Sequence, residues 1–94
     1  MISTKRLELR DYADRPSVSR LEVKALEDAL ADECGLLLLV WPTAVAKRRL
    51  GSTLEYLLVY TGVLVVARLD RDSNTLSYEL YCDGEKVAEG QCAA

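Results

Sequence analysis

The side chains able to do chemistry in this chain are few in kind. There is no histidine among its 94 residues, so catalysis by an imidazole base is excluded by composition. The three cysteines, Cys34, Cys82 and Cys92, fall at no metal-ligand spacing, and an odd count suggests free, buried thiols. No cysteine sits in a nucleophile motif. The five glycines are scattered at 35, 51, 62, 84 and 90, which rules out a glycine-rich phosphate loop. Carboxylates are the one abundant reactive group. Asp70 with Asp72, or Asp11 with Asp14, could hold a divalent cation, but paired acids in polar turns more often simply form the turn. No cofactor and no metal is therefore expected.

Charge offers two candidate surfaces. Lys47-Arg48-Arg49 is the basic cluster, able in principle to meet phosphates or an acidic patch. With no aromatic platform beside it, the triplet reads better as the positive end of a short helix, and nucleic acid is not an expected partner. Net charge is −3, unevenly placed. Residues 1–50 hold nine basic against eight acidic side chains, and residues 51–94 hold three against seven. The second half thus presents Asp70, Asp72, Glu79, Asp83, Glu85 and Glu89 as an acidic surface suited to a basic partner. Plain solubility is the simpler account of it.

The elements that must position these groups are legible from periodicity and punctuation. Leu54–Leu69 is the densest run of β-branched and aliphatic residues, with one glycine, Gly62, near its middle. It predicts a hairpin pairing Tyr60 with Val63, Leu58 with Val65 and Tyr56 with Ala67. One face of that hairpin carries Leu54, Tyr56, Leu58, Tyr60, Val63, Val65, Ala67 and Leu69. The other carries Leu57, Val59, Leu64 and Val66, with Glu55 and Arg68 at the open end. A rival reading takes 53–61 as a short helix from the capping box Ser52–Glu55, but Tyr56, Val59 and Tyr60 favour a strand.

Upstream, Thr4–Tyr12 alternates as a half-buried strand, and Ala13–Ser17 reads as a loop. Ser19 and Glu22 form a capping box that opens a helix. Val23, Leu26, Leu30 and Cys34 lie on its buried stripe, and Gly35 ends it. Leu36–Trp41, apolar at every position, predicts a central strand buried on both faces. Thr43–Leu50 predicts two turns of helix between the cap Thr43 and the stop Gly51. Downstream, Asp70–Asn74 is a turn, Thr75–Cys82 a strand, and Asp83-Gly84 a hairpin turn pairing Leu80 with Val87 and Cys82 with Glu85. Glu85–Gln91 is then an edge strand, and Cys92-Ala93-Ala94 frays.

The sum is an α+β domain spanning 1–94. Its sheet is mostly antiparallel, of five to six strands, in the order β-α-β-(short α)-β-β-β-β, with the main helix on one face. One helix cannot roof both faces of so apolar a sheet, and burial of each Leu or Val contributes about 1.5–3 kcal/mol. Leu57, Val59, Leu64 and Val66 are therefore expected to meet a homodimer partner or another protein. The longest apolar runs, Leu36–Trp41 and Tyr56–Tyr60, are far short of the ~20 residues a spanning helix needs. No apolar leader is visible, so a cytoplasmic setting is expected.

By size, acidity and poverty of catalytic groups, the expected function is a non-enzymatic binding protein working through protein–protein contact. It looks like inhibitors, antitoxins, immunity proteins and anti-defence proteins in type, with no motif behind the likeness. The alternatives are a carboxylate- and metal-dependent small enzyme or ligand-binding domain, and a structural subunit of a larger complex.

Overall fold

The structure is a computed structural model, and it describes residues 17–93. The strand expected over 4–12 lies outside the described residues. What is described is one helix, α1 (Arg20–Cys34), followed by five strands: β1 (Ala44–Leu50), β2 (Thr53–Tyr60), β3 (Val63–Asp70), β4 (Thr75–Cys82) and β5 (Glu85–Ala93). They form one antiparallel sheet in the order β1-β2-β3-β4-β5, a meander in which every neighbour in space is a neighbour in sequence. The α+β class and the antiparallel sheet hold.

The helix begins and ends where its residues dictate. The Ser19 hydroxyl accepts from the Glu22 backbone N–H at 3.1 Å, satisfying one of the orphan donors of the first turn. The other half of the capping box is not made, because the Glu22 side chain turns inward instead of back to Ser19. Gly35 stops the helix at φ 74°, a left-handed conformation that costs glycine nothing. Val23, Ala25, Leu26 and Leu30 are buried. Ala25, Leu26 and Leu30 meet the sheet face built from Leu54, Tyr56, Leu58, Val65, Ala67, Leu69 and Leu76.

The hairpin at Thr61-Gly62 has the expected register: Tyr60 pairs with Val63, Leu58 with Val65 and Tyr56 with Ala67. Gly62 takes φ 75° there. Asp83-Gly84 likewise turns β4 into β5 with Cys82 opposite Glu85. A bulge then shifts the register between Leu80 and Tyr81, so Leu80 faces Ala88 and not Val87. Further along β5, a Cβ on Gly90 would lie 2.5 Å from Cε1 of Tyr78. The missing side chain leaves room for the tyrosine ring across the strand pair.

Two elements differ from expectation. Thr43–Leu50 is not a helix: Ala44–Leu50 is a strand, outermost among the described residues, paired residue for residue with β2 from Ala44 opposite Val59 to Leu50 opposite Thr53. Pairing with so strong a strand overrides the helix propensity of Ala, Lys and Arg. Leu36–Trp41 is not a central strand either, since the sheet is filled by five consecutive strands without it. It runs as a strap from the helix C-terminus back to the helix start, where the Arg20 guanidinium lies 4.7 Å from the centre of the Trp41 ring. Leu36 and Leu38 pack against the core while Leu37 and Leu39 face outward.

The helix crosses the sheet obliquely. Near its start Glu22 meets Lys47 of β1 and Tyr56 of β2, and at its end Cys34 is disulfide-bonded to Cys92 of β5, with 5.5 Å between the Cα atoms. The expectation of three free thiols is corrected for two of them, and only Cys82 stays free. The expected fraying from Cys92 is corrected too, because β5 continues through that residue. No helix among the described residues is long and apolar enough to cross a membrane.

Candidate functional site

Strand alternation places the residues singled out in the sequence on two faces. On β1 it splits the basic triplet. Lys47 points to the helix side, where its side chain is 5% exposed and its ammonium donates to Glu22 Oε2 at 2.8 Å. Tyr56 donates its phenol to the same oxygen. Arg48 points to the opposite, outer face, and Arg49 turns back with Lys47. The three cations form no continuous anion-binding patch.

The buried group around Glu22 is a core feature. Its residues are wholly enclosed: Glu22 is 0% and Tyr56 1% exposed. One carboxylate oxygen takes both donors and the other, Oε1, has no hydrogen-bond partner. Tyr60 makes a related contact, donating to Glu27 at 2.9 Å. Burial, reinforced by the carboxylates they donate to, holds both phenols above the ordinary tyrosine value of 10.0. Neither is poised to act as a base at neutral pH.

The outer face is different in kind. A ladder of alternating charge runs across all five strands. Arg48 on β1 reaches Glu55 on β2 at 2.5 Å, and Glu55 also accepts from Arg68 on β3 at 2.9 Å. Arg68 continues to Glu79 on β4 at 3.3 Å. Lys86 on β5 joins Glu79 at 3.2 Å to Glu89 at 2.8 Å. The Arg48 guanidinium, and after it that of Arg68, hold Glu55 below its usual value against the opposing effect of burial. Glu79 is held down chiefly by Lys86.

Beside the ladder lie the four apolar side chains expected to need a partner. They form two rows, Ala46-Leu57-Val66 and Ala44-Val59-Leu64-Tyr81. Val66, at the centre, is only 8% exposed, so the expectation that all four are wet is corrected for it. Its cross-strand neighbours Leu57 and Glu79 flank it on either side. Leu57 and Leu64 are half-buried, and Val59 is 39% exposed.

The six acids do not share one surface. Glu79 and Glu89 belong to the ladder. Asp70 is a turn-former: it accepts from the backbone of Asp72 at 3.0 Å and from the Ser52 hydroxyl at 3.3 Å. Those bonds, led by the Asp72 N–H, keep its carboxyl below the ordinary range. Asp72 is exposed in the same turn. Asp83 and Glu85 are exposed at the other end of β4, an eight-residue strand or roughly 27 Å away.

Among the described residues, no group of three or more His, Cys, Asp or Glu is placed to hold a metal ion. A cleft of about 660 Å³ opens between the helix start and β1, lined by Arg20, Val23, Trp41, Val45 and Lys47 among others. Sequence reasoning singled out Arg48 only as part of the basic cluster on a short helix, not as Glu55's partner, and it missed Lys86. A signal was present, since hairpin turns at Gly51-Ser52 and Thr61-Gly62 set Arg48, Glu55 and Arg68 side by side. Compared with protein-family models, with characterised proteins and with solved structures, this chain matches none.

Proposed function

We propose that this protein is a non-enzymatic binding module that engages another protein through the outer face of its sheet. The observation that carries this is the pairing of two features on one face. Among the described residues, exposed Val59 and half-buried Leu57 and Leu64 form an apolar strip on the side away from the helix, and a ladder of paired charges borders it. An apolar centre beside ordered polar groups is how protein interfaces are commonly built. The ladder alternates in sign and sums to zero, so it selects a partner by register more than by net charge. Support for a non-catalytic role comes from the ionisable groups themselves. Glu22 with Lys47, Glu27 with Tyr60, and Glu55 with Arg48 and Arg68 are spent on each other. An inhibitor, antitoxin, immunity or anti-defence protein would work in this way, by occupying a target surface.

The test places a photo-crosslinking side chain at Val59, and at exposed Asp72 as the control. The expected outcome is a discrete protein adduct from position 59 that disappears on Leu64→Glu substitution. Equal adducts from both positions, or none from 59, would overturn the proposal.

A further inference from the structure

The outer face is complementary to itself in charge. Its two apolar rows run into opposite signs at β5. Register carries Ala46-Leu57-Val66 on to Glu79 and Glu89, and it carries Ala44-Val59-Leu64-Tyr81 on to Lys86. Lys86 and Glu89 are exposed, as are Ala44, Ala46 and Val59. Sheets that pack face to face keep their strands roughly aligned, so two copies of this face can stack about a twofold axis in two regular ways. With the axis along β3, Arg68 meets its own copy and Leu57 is laid on Glu79. With the axis across the strands, midway between the two rows, each row lies on the other. Leu57 then meets Val59 and Val66 meets Leu64, while the Tyr81 hydroxyl meets the Glu79 carboxylate. At β5, Lys86 meets Glu89.

We infer that in the free protein this face closes on a second copy of the chain in that second arrangement, Lys86 of each copy against Glu89 of the other. Apolar side chains meet on β1, β2 and β3 and opposite charges on β5, so a copy of this chain supplies both halves of the match. The contact is isologous, and each charge pair therefore occurs twice. Within one copy Lys86 already donates to Glu89 at 2.8 Å and to Glu79 at 3.2 Å, and stacking joins the two ladders at that end. The inference rests on the proposed reading of the outer face as a binding surface, and it adds that a foreign target must compete with the second copy.

The deciding experiment is sedimentation equilibrium of the full chain over a broad concentration range, with circular dichroism to confirm folding. The wild type is expected to dimerise. Lys86→Glu sets glutamate on glutamate at both symmetry-related contacts, and Glu89→Lys sets lysine on lysine. Each alone should weaken dimerisation about tenfold or more through like-charge apposition. An equimolar mixture of the two variants should recover the wild-type association, because the mixed pair has opposite charges at both contacts. A loss of fold in either variant cannot imitate that recovery. A folded wild type that stays monomeric throughout would overturn the inference, and a foreign-protein adduct at position 59 would then leave the binding reading standing. A dimer indifferent to both reversals, or a mixture no tighter than its parts, would overturn the inference as well. Recovery in the mixture, with an adduct at position 59 that contains only a second copy, would sustain the dimer and remove the foreign target.

Discussion

At the scale of single residues, the telling position is Glu22, a carboxylate sealed beneath the helix with an ammonium and a phenol on one of its oxygens. Two charges taken out of water attract strongly but have each lost hydration, so such a pair contributes little net stability while its rupture is costly. Glu22→Ala removes the carboxylate oxygen that Lys47 and Tyr56 share, so a buried ammonium and a buried phenol each lose that acceptor. A loss of about 3–5 kcal/mol in unfolding free energy is expected, measured by urea denaturation. Replacing both ends, Glu22→Leu with Lys47→Met, should recover most of that loss. A double variant no more stable than the single one would show that the pair is not what the carboxylate is for.

At the scale of the element, the sheet behaves as a unit through its charge ladder, and acid should reveal it. Glu55 and Glu79 are held below the ordinary glutamate value of 4.5 by their cationic neighbours. A carboxyl depressed in the folded state contributes stability that is present above its unfolded value and lost as pH falls through the folded one. Glu27 works the other way: burial raises it, so protonation there favours the fold. Thermal unfolding should thus change little with these two groups above pH 4.5 and decline below it. The decline should be shallower in Glu55→Gln, and equal slopes would remove the ladder's part in acid stability. Much of this sheet was legible in the sequence. Thr61-Gly62 and Asp83-Gly84 fix two hairpins because only residues tolerant of positive φ turn so tightly. β1 was misread because Ala44-Val45-Ala46-Lys47 carries helix formers between a cap and a glycine. Its true sign was Gly51-Ser52, a two-residue hairpin turn into β2. The strap was misread because a short apolar run is the same whether it crosses a sheet or lies over it. Only the count of strands that consecutive hairpins already supply separates the two.

At the scale of the whole molecule, the question is what keeps an oblique helix seated on a meander whose strands contact mainly their sequence neighbours. The helix start is anchored on β1 and β2 by Glu22, and its end on the far edge by the Cys34–Cys92 bond. That bond spans 58 residues of sequence and joins the helix terminus to the last strand. A cross-link of that span restricts the unfolded chain by about 4 kcal/mol in the chain-entropy account. Bonds of this kind persist in oxidising compartments and are rare in the cytosol, which sets the pair against the cytoplasmic setting expected from the sequence. Reduction, or Cys34→Ser with Cys92→Ser, should lower unfolding free energy by up to that amount while the sheet persists. Non-reducing peptide mapping should recover residues 34 and 92 in one disulfide-linked fragment, with Cys82 alone open to alkylation. If all three thiols alkylate in freshly isolated protein and the double serine variant is equally stable, the helix end is held by apolar packing, and the clasp across the sheet does not exist.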